Sequence, residues 1–466
     1  MAEILAGRKA CTVNPLKMSA PIGAALAFLG MDRCLPLLHG SQGCTAFGLV
    51  LFVRHFRETI PLQTTAMSEV TTILGGQENI EQALVNIHKR ANPALIGLCS
   101  TGITEAKGDD VAGFLTDIRA RHPELAGMEV VFTPTPDFVG GFQEGWGKAV
   151  ECMVTSLVRP SKVRTPWQVN ILAPCHLTPG DLEELREIVE AFGLYPVILP
   201  DLSGSLDGHI PETFLPHTLG GTRVEDVRRM GEAALTIAIG EQMRPAAAAL
   251  ERIAGVPFRL FDRLTGLAAS DALIGLLAEV SGNEVPAKYK RQRSQLLDAM
   301  LDGHFYFGGK RIAVAGEADL LHTLVSFFTE MGAEVPVAVA PTETPILPQL
   351  PCATVRIGDL DDFEHAAAAV EEGCDLLVTH SHGRQAAQRL GLPLYRAGIP
   401  SFDRLGATHQ VSVGYRGTRN LIFEVANVFI ARLNDHEQHA SPADFHPAGR
   451  GEAAGGALEP PPVTRH

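Results

Sequence analysis

Val169-Asn170-Ile171-Leu172-Ala173 is an apolar run, and Pro174 to Gly180 turns the chain after it. Asp181 then caps a helix on which Leu182, Leu185, Ile188, Val189 and Phe192 recur at helical spacing, Gly193 stops it, and Tyr195 to Leu199 returns as a second apolar run. A strand, a turn, an amphipathic helix with a glycine stop and a second strand make the signature of a parallel βαβ unit. The same plan recurs from Arg311 to Ala315, through Gly316, along a helix from Leu320 to Met331, past Gly332, and back from Glu334 to Val339.

Two further copies of the pattern lie on either side. Ala94 to Leu98 leads through Cys99 to Gly102 into a helix and then the run Glu129 to Phe132, and Asp375 to Thr379 leads through His380 to Gly383 into a helix. The expected fold class is therefore α/β, with three Rossmann-like domains built on parallel sheets. A chain of 466 residues agrees with that number at about 150 residues per domain. Boundaries are expected near the stretch Arg159 to Pro166 and near a Gly-rich turn from Gly303 to Gly309. This gives an N-terminal domain over 1–165, a second over 166–305 and a third over 306–436. Past His436 the composition shifts to Ala, Gly, Pro and His and ends in Pro460-Pro461-Pro462, so 437–466 is expected to be a disordered tail.

Composition narrows the function classes. Hydrophobic residues are 45% and charged residues 20% of the chain, the balance of a folded soluble protein. Lys and Arg number 39 against 53 Asp and Glu, and a net charge of -14 repels phosphate backbones and anionic membranes, so neither nucleic acid nor membrane is expected as a partner. The uncharged stretch Met18 to Met31 is too short to span a bilayer and is broken by Pro21, Gly23 and Gly30. Met1 to Lys9 carries Glu3, Arg8 and Lys9 with no apolar core behind them, unlike a secretory signal, so the cytoplasm is expected. Eight cysteines are too sparse for a disulfide scaffold, which leaves ligand, nucleophile or packing roles.

In open parallel sheets, ligands bind beyond the carboxyl ends of the strands. No Walker loop and no Gly-x-Gly-x-x-Gly directly behind a strand occurs at these places. Ser381, between His380 and His382, invites a hydrolase reading, but adjacent side chains after a strand point apart, and a polar strand-to-helix turn is the expected role. Cys44 differs from the other cysteines. In His39-Gly40-Ser41-Gln42-Gly43-Cys44 it follows two glycines and precedes the amphipathic run Thr45 to Phe56, where a helix start stabilises a thiolate and glycines admit a bulky inorganic group. From the residues alone, a cluster-ligand loop and a buried cysteine in a crowded turn weigh equally. Cys99, Cys152, Cys175, Cys352 and Cys374 fall where cysteine acts as a small hydrophobe, and Cys11 and Cys34 lack ligand spacing and are expected to pack.

Several uncommon sequence words in fixed order carry a resemblance. They are His39-Gly40-Ser41-Gln42-Gly43-Cys44, Arg54-His55-Phe56-Arg57-Glu58, Gly75-Gly76-Gln77, Gly108-Asp109-Asp110 and Thr135-Pro136-Asp137-Phe138-Val139-Gly140. Through them, and over most of its length before the tail, the chain resembles the β-type subunits of the nitrogenase component 1 family. Within that family it is most similar to the cofactor-assembly scaffold subunits. The catalytic β-type subunits supply three cysteine thiolates to a double iron-sulfur cluster at the boundary with the α subunit. Only Cys44 has a counterpart here, because Leu62 and Gly102 stand in the other two places, and neither can ligate iron.

The resemblance thus implies a scaffold for maturation of the nitrogenase iron-molybdenum cofactor rather than a turnover catalyst, and no catalytic residue is assigned. It implies a [4Fe-4S] cluster shared with a homologous NifE-type subunit, with Cys44 as metal ligand beside Gly43 and the partner supplying the remaining thiolates. The iron-molybdenum cofactor precursor is expected in the partner subunit of an α2β2 heterotetramer. That assembly would meet the nitrogenase iron protein and the donor and acceptor proteins of cofactor assembly. Arg54, His55 and Arg57 lie too far along the helix to touch the same cluster and are expected at an interface or surface. The alternatives are a β-type subunit of a nitrogenase-like tetrapyrrole reductase, and a metal-free α/β protein that binds a small ligand between its domains and buries Cys44 inertly.

Overall fold

The computed structural model describes residues 1–6 and 14–439. Cys11 and residues 440–466 lie outside the described residues, so the expected packing of Cys11 and most of the expected tail lie outside them too. The helix Gly414–His439 runs past His436, where the tail was expected to begin.

Three parallel sheets form the frame. In spatial order the first holds Gln63–Thr64, Cys34–Leu38, Leu95–Cys99 and Glu129–Thr133, and the second holds Tyr195–Leu199, Thr165–Leu172, Ala233–Ile239 and Phe258–Phe261. The third holds Glu3–Ala6, Thr354–Ile357, Glu334–Ala340, Arg311–Ala315, Leu376–Thr379 and Leu394–Arg396. Among the described residues every pairing between these strands is parallel. Strands buried on both faces read as continuous apolar runs, and Cys34–Leu38 and Leu95–Cys99 are buried at every position.

Details depart from the sequence reading where tertiary contacts intervene. Glu3–Ala6 lies at the edge of the third sheet, with Glu3 opposite Thr354 and Ala6 opposite Ile357, so the first residues of the 1–165 range fold with the far end of the chain. Gly303 is not in a turn. It sits inside the helix Ala287–Phe307, which ends at Gly308. The helix after the second sheet's first strand is Pro179–Glu190, capped by Thr178 and not by Asp181. Asp181 occupies the reciprocal position of that capping box, accepting the Thr178 N–H at 3.1 Å. Its other oxygen accepts the Ser412 and Val413 N–H groups at 2.6 and 3.2 Å and so ties the second sheet's layer to the last helix.

The layers share one apolar core. Helix Ala20–Leu29 is buried along its whole length against Phe142–Leu157, and the indole of Trp146 on the latter donates to the Ala173 carbonyl at 2.8 Å, joining the first sheet's layer to the second. Among the described residues no helix is long and apolar enough to cross a membrane.

Candidate functional site

In the first sheet the strand order reverses between Cys34–Leu38 and its neighbour Leu95–Cys99. The loops that leave the carboxyl ends of these two strands diverge there, which makes the place a topological switch point. One loop is His39 to Ser41, opening helix Gln42–Phe56, and the other is Ser100 to Thr101, opening helix Gly102–Lys107.

The first loop is held from below by hydroxyls of both neighbouring loops. Thr65 Oγ1 lies 3.0 Å from His39 Nδ1 and accepts the Gly40 N–H at 3.2 Å, while Thr64 Oγ1 and the Met67 N–H donate to the Gly40 carbonyl at 3.2 and 2.9 Å. Thr101 Oγ1 donates to the His39 carbonyl at 2.9 Å. Two glycines are required by close approach. A Cβ on Gly40 would stand 2.7 Å from Thr101 Oγ1, and one on Gly76 would stand 2.3 Å from the His39 ring. The buried His39 ring points Nε2 toward Asp109, 3.6 Å away, and Asp109 meets Lys107 at 3.4 Å. Burial pulls the His39 pKa below its ordinary value against the opposing pull of Asp109. Gly76 opens the helix Gln77–Arg90.

Cys44 stands on this platform in the first turn of Gln42–Phe56 and is exposed. Ser41 precedes the helix without capping it through its side chain; its Oγ instead lies 3.5 Å from Cys44 Sγ. No acidic side chain occupies the first turn, and Arg54 and His55 occupy the last, so the positive end of the helix faces the thiol uncompensated. The other described cysteines differ. Cys34, Cys99, Cys175 and Cys374 are buried, and burial pushes every one of these thiols up, Cys374 to about 11. Cys152 and Cys352 are half-buried and are raised by the same cause.

Leu62 is buried, and the Gly102 N–H donates to Asp137 Oδ2 at 3.4 Å. Among the described residues no three His, Cys, Asp or Glu side chains are arranged to hold a metal ion. A cluster fits this place only as a shared group, with this chain contributing one thiolate beside Gly43, whose Cβ position is open apart from Ser41 Oγ at 3.9 Å.

Sequence reasoning missed the surface around the thiol. Phe47, Val50 and Val53 on the helix of Cys44 are 66%, 56% and 40% exposed, and the neighbouring loops and helices add exposed Val70, Ile73, Ile103, Phe138 and Val139. Exposed large apolar side chains gathered on neighbouring elements are a common feature of protein contact surfaces. The signal of this surface was present in that helix, which is apolar all round its circumference, so one flank remains bare after Gly48, Leu51, Phe52 and Phe56 are buried.

Arg54 and Arg57 are exposed, the surface positions expected, and half-buried His55 faces the third layer. His55 Nδ1 accepts the Ser401 N–H at 2.9 Å and burial pushes its pKa down to about 4. The Arg54 guanidinium lies 3.9 Å from the centre of the Phe402 ring, and Arg57 donates to the Phe402 carbonyl at 3.2 Å. This end of the helix is docked on the loop that follows the third sheet's last strand. Ser381 donates to Asp403 and accepts the Phe402 N–H at 3.0 Å, and no histidine lies within hydrogen-bonding reach of its hydroxyl. Arg396 pairs with the same carboxylate at 2.9 Å. Ser381, Asp403 and Arg396 make the turn a structural network, as its sequence suggested, while the buried His380 Nε2 and Thr379 Oγ1 beside it have no hydrogen-bond partner among the described residues.

The model of the family described as nitrogenase component 1 type oxidoreductase matches residues 19–430. The chain is 58% identical over 441 residues to the nitrogenase iron-molybdenum cofactor biosynthesis protein NifN of Bradyrhizobium diazoefficiens, covering 94% of each. It is 52% identical to the protein of the same name from a Nostoc species, covering 94% of this chain and 99% of that one. A chain of the solved structure described as nitrogenase Cp1 at pH 6.5 superposes with a TM-score of 0.88 at 31% identity, covering 95% of this chain and 98% of the other. The chain belongs to the nitrogenase component 1 type oxidoreductase family.

Proposed function

We propose that this chain is a scaffold subunit for maturation of the nitrogenase iron-molybdenum cofactor. It pairs through the apolar face around Cys44 with a homologous NifE-type subunit, and two such pairs form an α2β2 heterotetramer in the cytoplasm. The three layers correspond to domains near 1–165, 166–305 and 306–436, with the N-terminal strand lent to the third.

Cys44, beside Gly43, holds one corner of a [4Fe-4S] cluster whose other three thiolates come from the partner. Bound there, the cluster supplies one-electron relay. This chain's own residues hold the thiol at the rim, where the Thr65, Thr101 and His39 contacts fix the loop and the apolar face excludes water on assembly. The iron-molybdenum cofactor precursor resides in the partner subunit, and the nitrogenase iron protein and the cofactor donor and acceptor proteins dock on the assembled complex.

The carrying observation is an exposed thiol at a switch point beside exposed apolar side chains; Leu62 and Gly102, at the two places where the family resemblance implies cysteine, offer no further donor. Four-iron clusters are held by four thiolates, so a single donor requires a second chain. Cys44→Ala in the co-expressed complex tests this: iron content and the paramagnetic signal of the reduced cluster fall while the subunits still co-purify. Unchanged iron removes Cys44 from the function.

A further inference from the structure

A second cavity lies away from the Cys44 face, between the end of helix Gln42–Phe56, the segment 205–219 that follows the second sheet's strand Tyr195–Leu199, and the turn 404–409 after the third sheet. Its volume of about 760 Å³ is that of a small-molecule site, and such sites favour junctions between domains. The body of the cleft is apolar, formed by Leu49, Phe56, Ile60, Leu206, Leu215 and Leu219. One part of its wall carries donors. Arg57 and Arg404 line it, the second pairing with Glu424 at 3.4 Å. His55 lines it too. Because its Nδ1 accepts the Ser401 N–H, the neutral ring carries its proton on Nε2, and no described acceptor takes that proton.

Glu58 is the cleft's acid. It is engaged with the overlying segment, accepting the Gly208 N–H at 2.9 Å, and a Cβ on Gly208 would stand 3.3 Å from His409 Nε2. Past this latch the segment displays Ile210 and Phe214 at 92% and 77% exposure beside an apolar cavity. Large apolar side chains held in water next to an unfilled apolar space gain free energy by turning inward.

We infer that this cleft binds a small organic anion, one acidic head on an apolar body, with the head at Arg57 and His55 and with segment 205–219 closing over the body. The inference does not rest on the Cys44 reading, since none of these residues touches the thiol.

The probe is 1-anilinonaphthalene-8-sulfonate, a sulfonate on apolar rings, titrated by fluorescence into the full chain with the subunit that co-purifies with it. One saturable component is expected. Arg57→Gln weakens it about tenfold, the effect of one hydrogen bond to a charge, and the double variant Ile210→Ser with Phe214→Ser weakens it by a similar factor. Both changes fall on side chains at the surface, and circular dichroism checks the fold. Saturating probe also slows chymotryptic cleavage at Phe214, while iron content stays unchanged in both variants. Binding that is non-saturable, or saturable but unmoved by both variants, overturns the proposal, as does cleavage at Phe214 that the probe does not slow.

Discussion

The carboxyl edges of the first and third sheets carry equally suggestive residues and differ in what remains unsatisfied. At the first, Cys44 is exposed in the first turn of a helix whose entry loop is hydrogen-bonded at His39 and Gly40, beside exposed apolar side chains. At the third, Ser381 and His380 are buried; Ser381, Asp403 and Arg396 bond one another, and the loop carrying Phe402 is clamped by Arg54 and Arg57 from the first layer. Buried polar groups are ordinarily satisfied within the fold. Chemistry-bearing side chains therefore identify a site only where a rigid support leaves a reactive group without an internal partner.

The largest difference should appear when each edge loses its central residue. Cys44→Ala is expected to remove nearly all the cluster iron of the complex yet leave the stability of the chain within about 0.5 kcal/mol, as for a surface substitution. Asp403→Ala is expected to do the reverse. It takes the acceptor from the buried Ser381 hydroxyl and the carboxylate from the half-buried Arg396 guanidinium, which keeps its bond to the Leu394 carbonyl, and costs about 2 kcal/mol, with iron per folded complex unchanged. Urea unfolding and iron analysis on the same preparations check both. Iron loss in the Asp403 variant without loss of stability would end the comparison.

Protonation distinguishes the two edges less sharply. Burial holds His55 at about 4 and His380 at about 3, against an ordinary value near 6.5. For such groups the unfolded chain binds more protons between the two values. The stability they contribute is complete above about pH 6.5 and is lost as pH falls through about 4. His55→Asn keeps an acceptor for the Ser401 N–H and removes one titration. Its urea midpoint should fall less steeply with acid, by about one proton between pH 6.5 and 4. An unchanged slope would mean that the docking of Arg54 to Arg57 on the third layer does not depend on a neutral His55.

Much of this arrangement was legible in the sequence because it depends on local periodicity. The βαβ units, the glycine stops and the continuous apolar strands follow from side-chain spacing and turn chemistry within about thirty residues. The strand Glu3–Ala6 was not legible, since its partner is Thr354–Ile357 and nothing in four residues specifies a neighbour so distant. The cap of Pro179–Glu190 was misplaced because Asp181 serves both the Thr178 N–H and the distant Ser412. At the candidate site the spacing marked Cys44 but not its exposure. Nor could it show that His39, Thr65 and Thr101 converge beneath it, because they come from three separate loops.

The smallest expected effect is the most discriminating for the third sheet. The Ser381 hydroxyl donates to Asp403 and accepts from the Phe402 N–H, so its role is to hold the loop that receives Arg54 and Arg57. Ser381→Ala removes two hydrogen bonds, but Arg396 still neutralises Asp403, which its partners already hold below the ordinary carboxylate range against the opposing effect of burial. The expected cost is about 1 kcal/mol, with iron content and co-purification of the partner unchanged. A nucleophilic serine would behave differently: a fluorophosphonate probe would label the native chain at Ser381 and spare the variant. Because neither histidine beside Ser381 reaches its oxygen, labelling at the level of the unfolded chain is the expected result, and stoichiometric labelling would reopen the third sheet as a site.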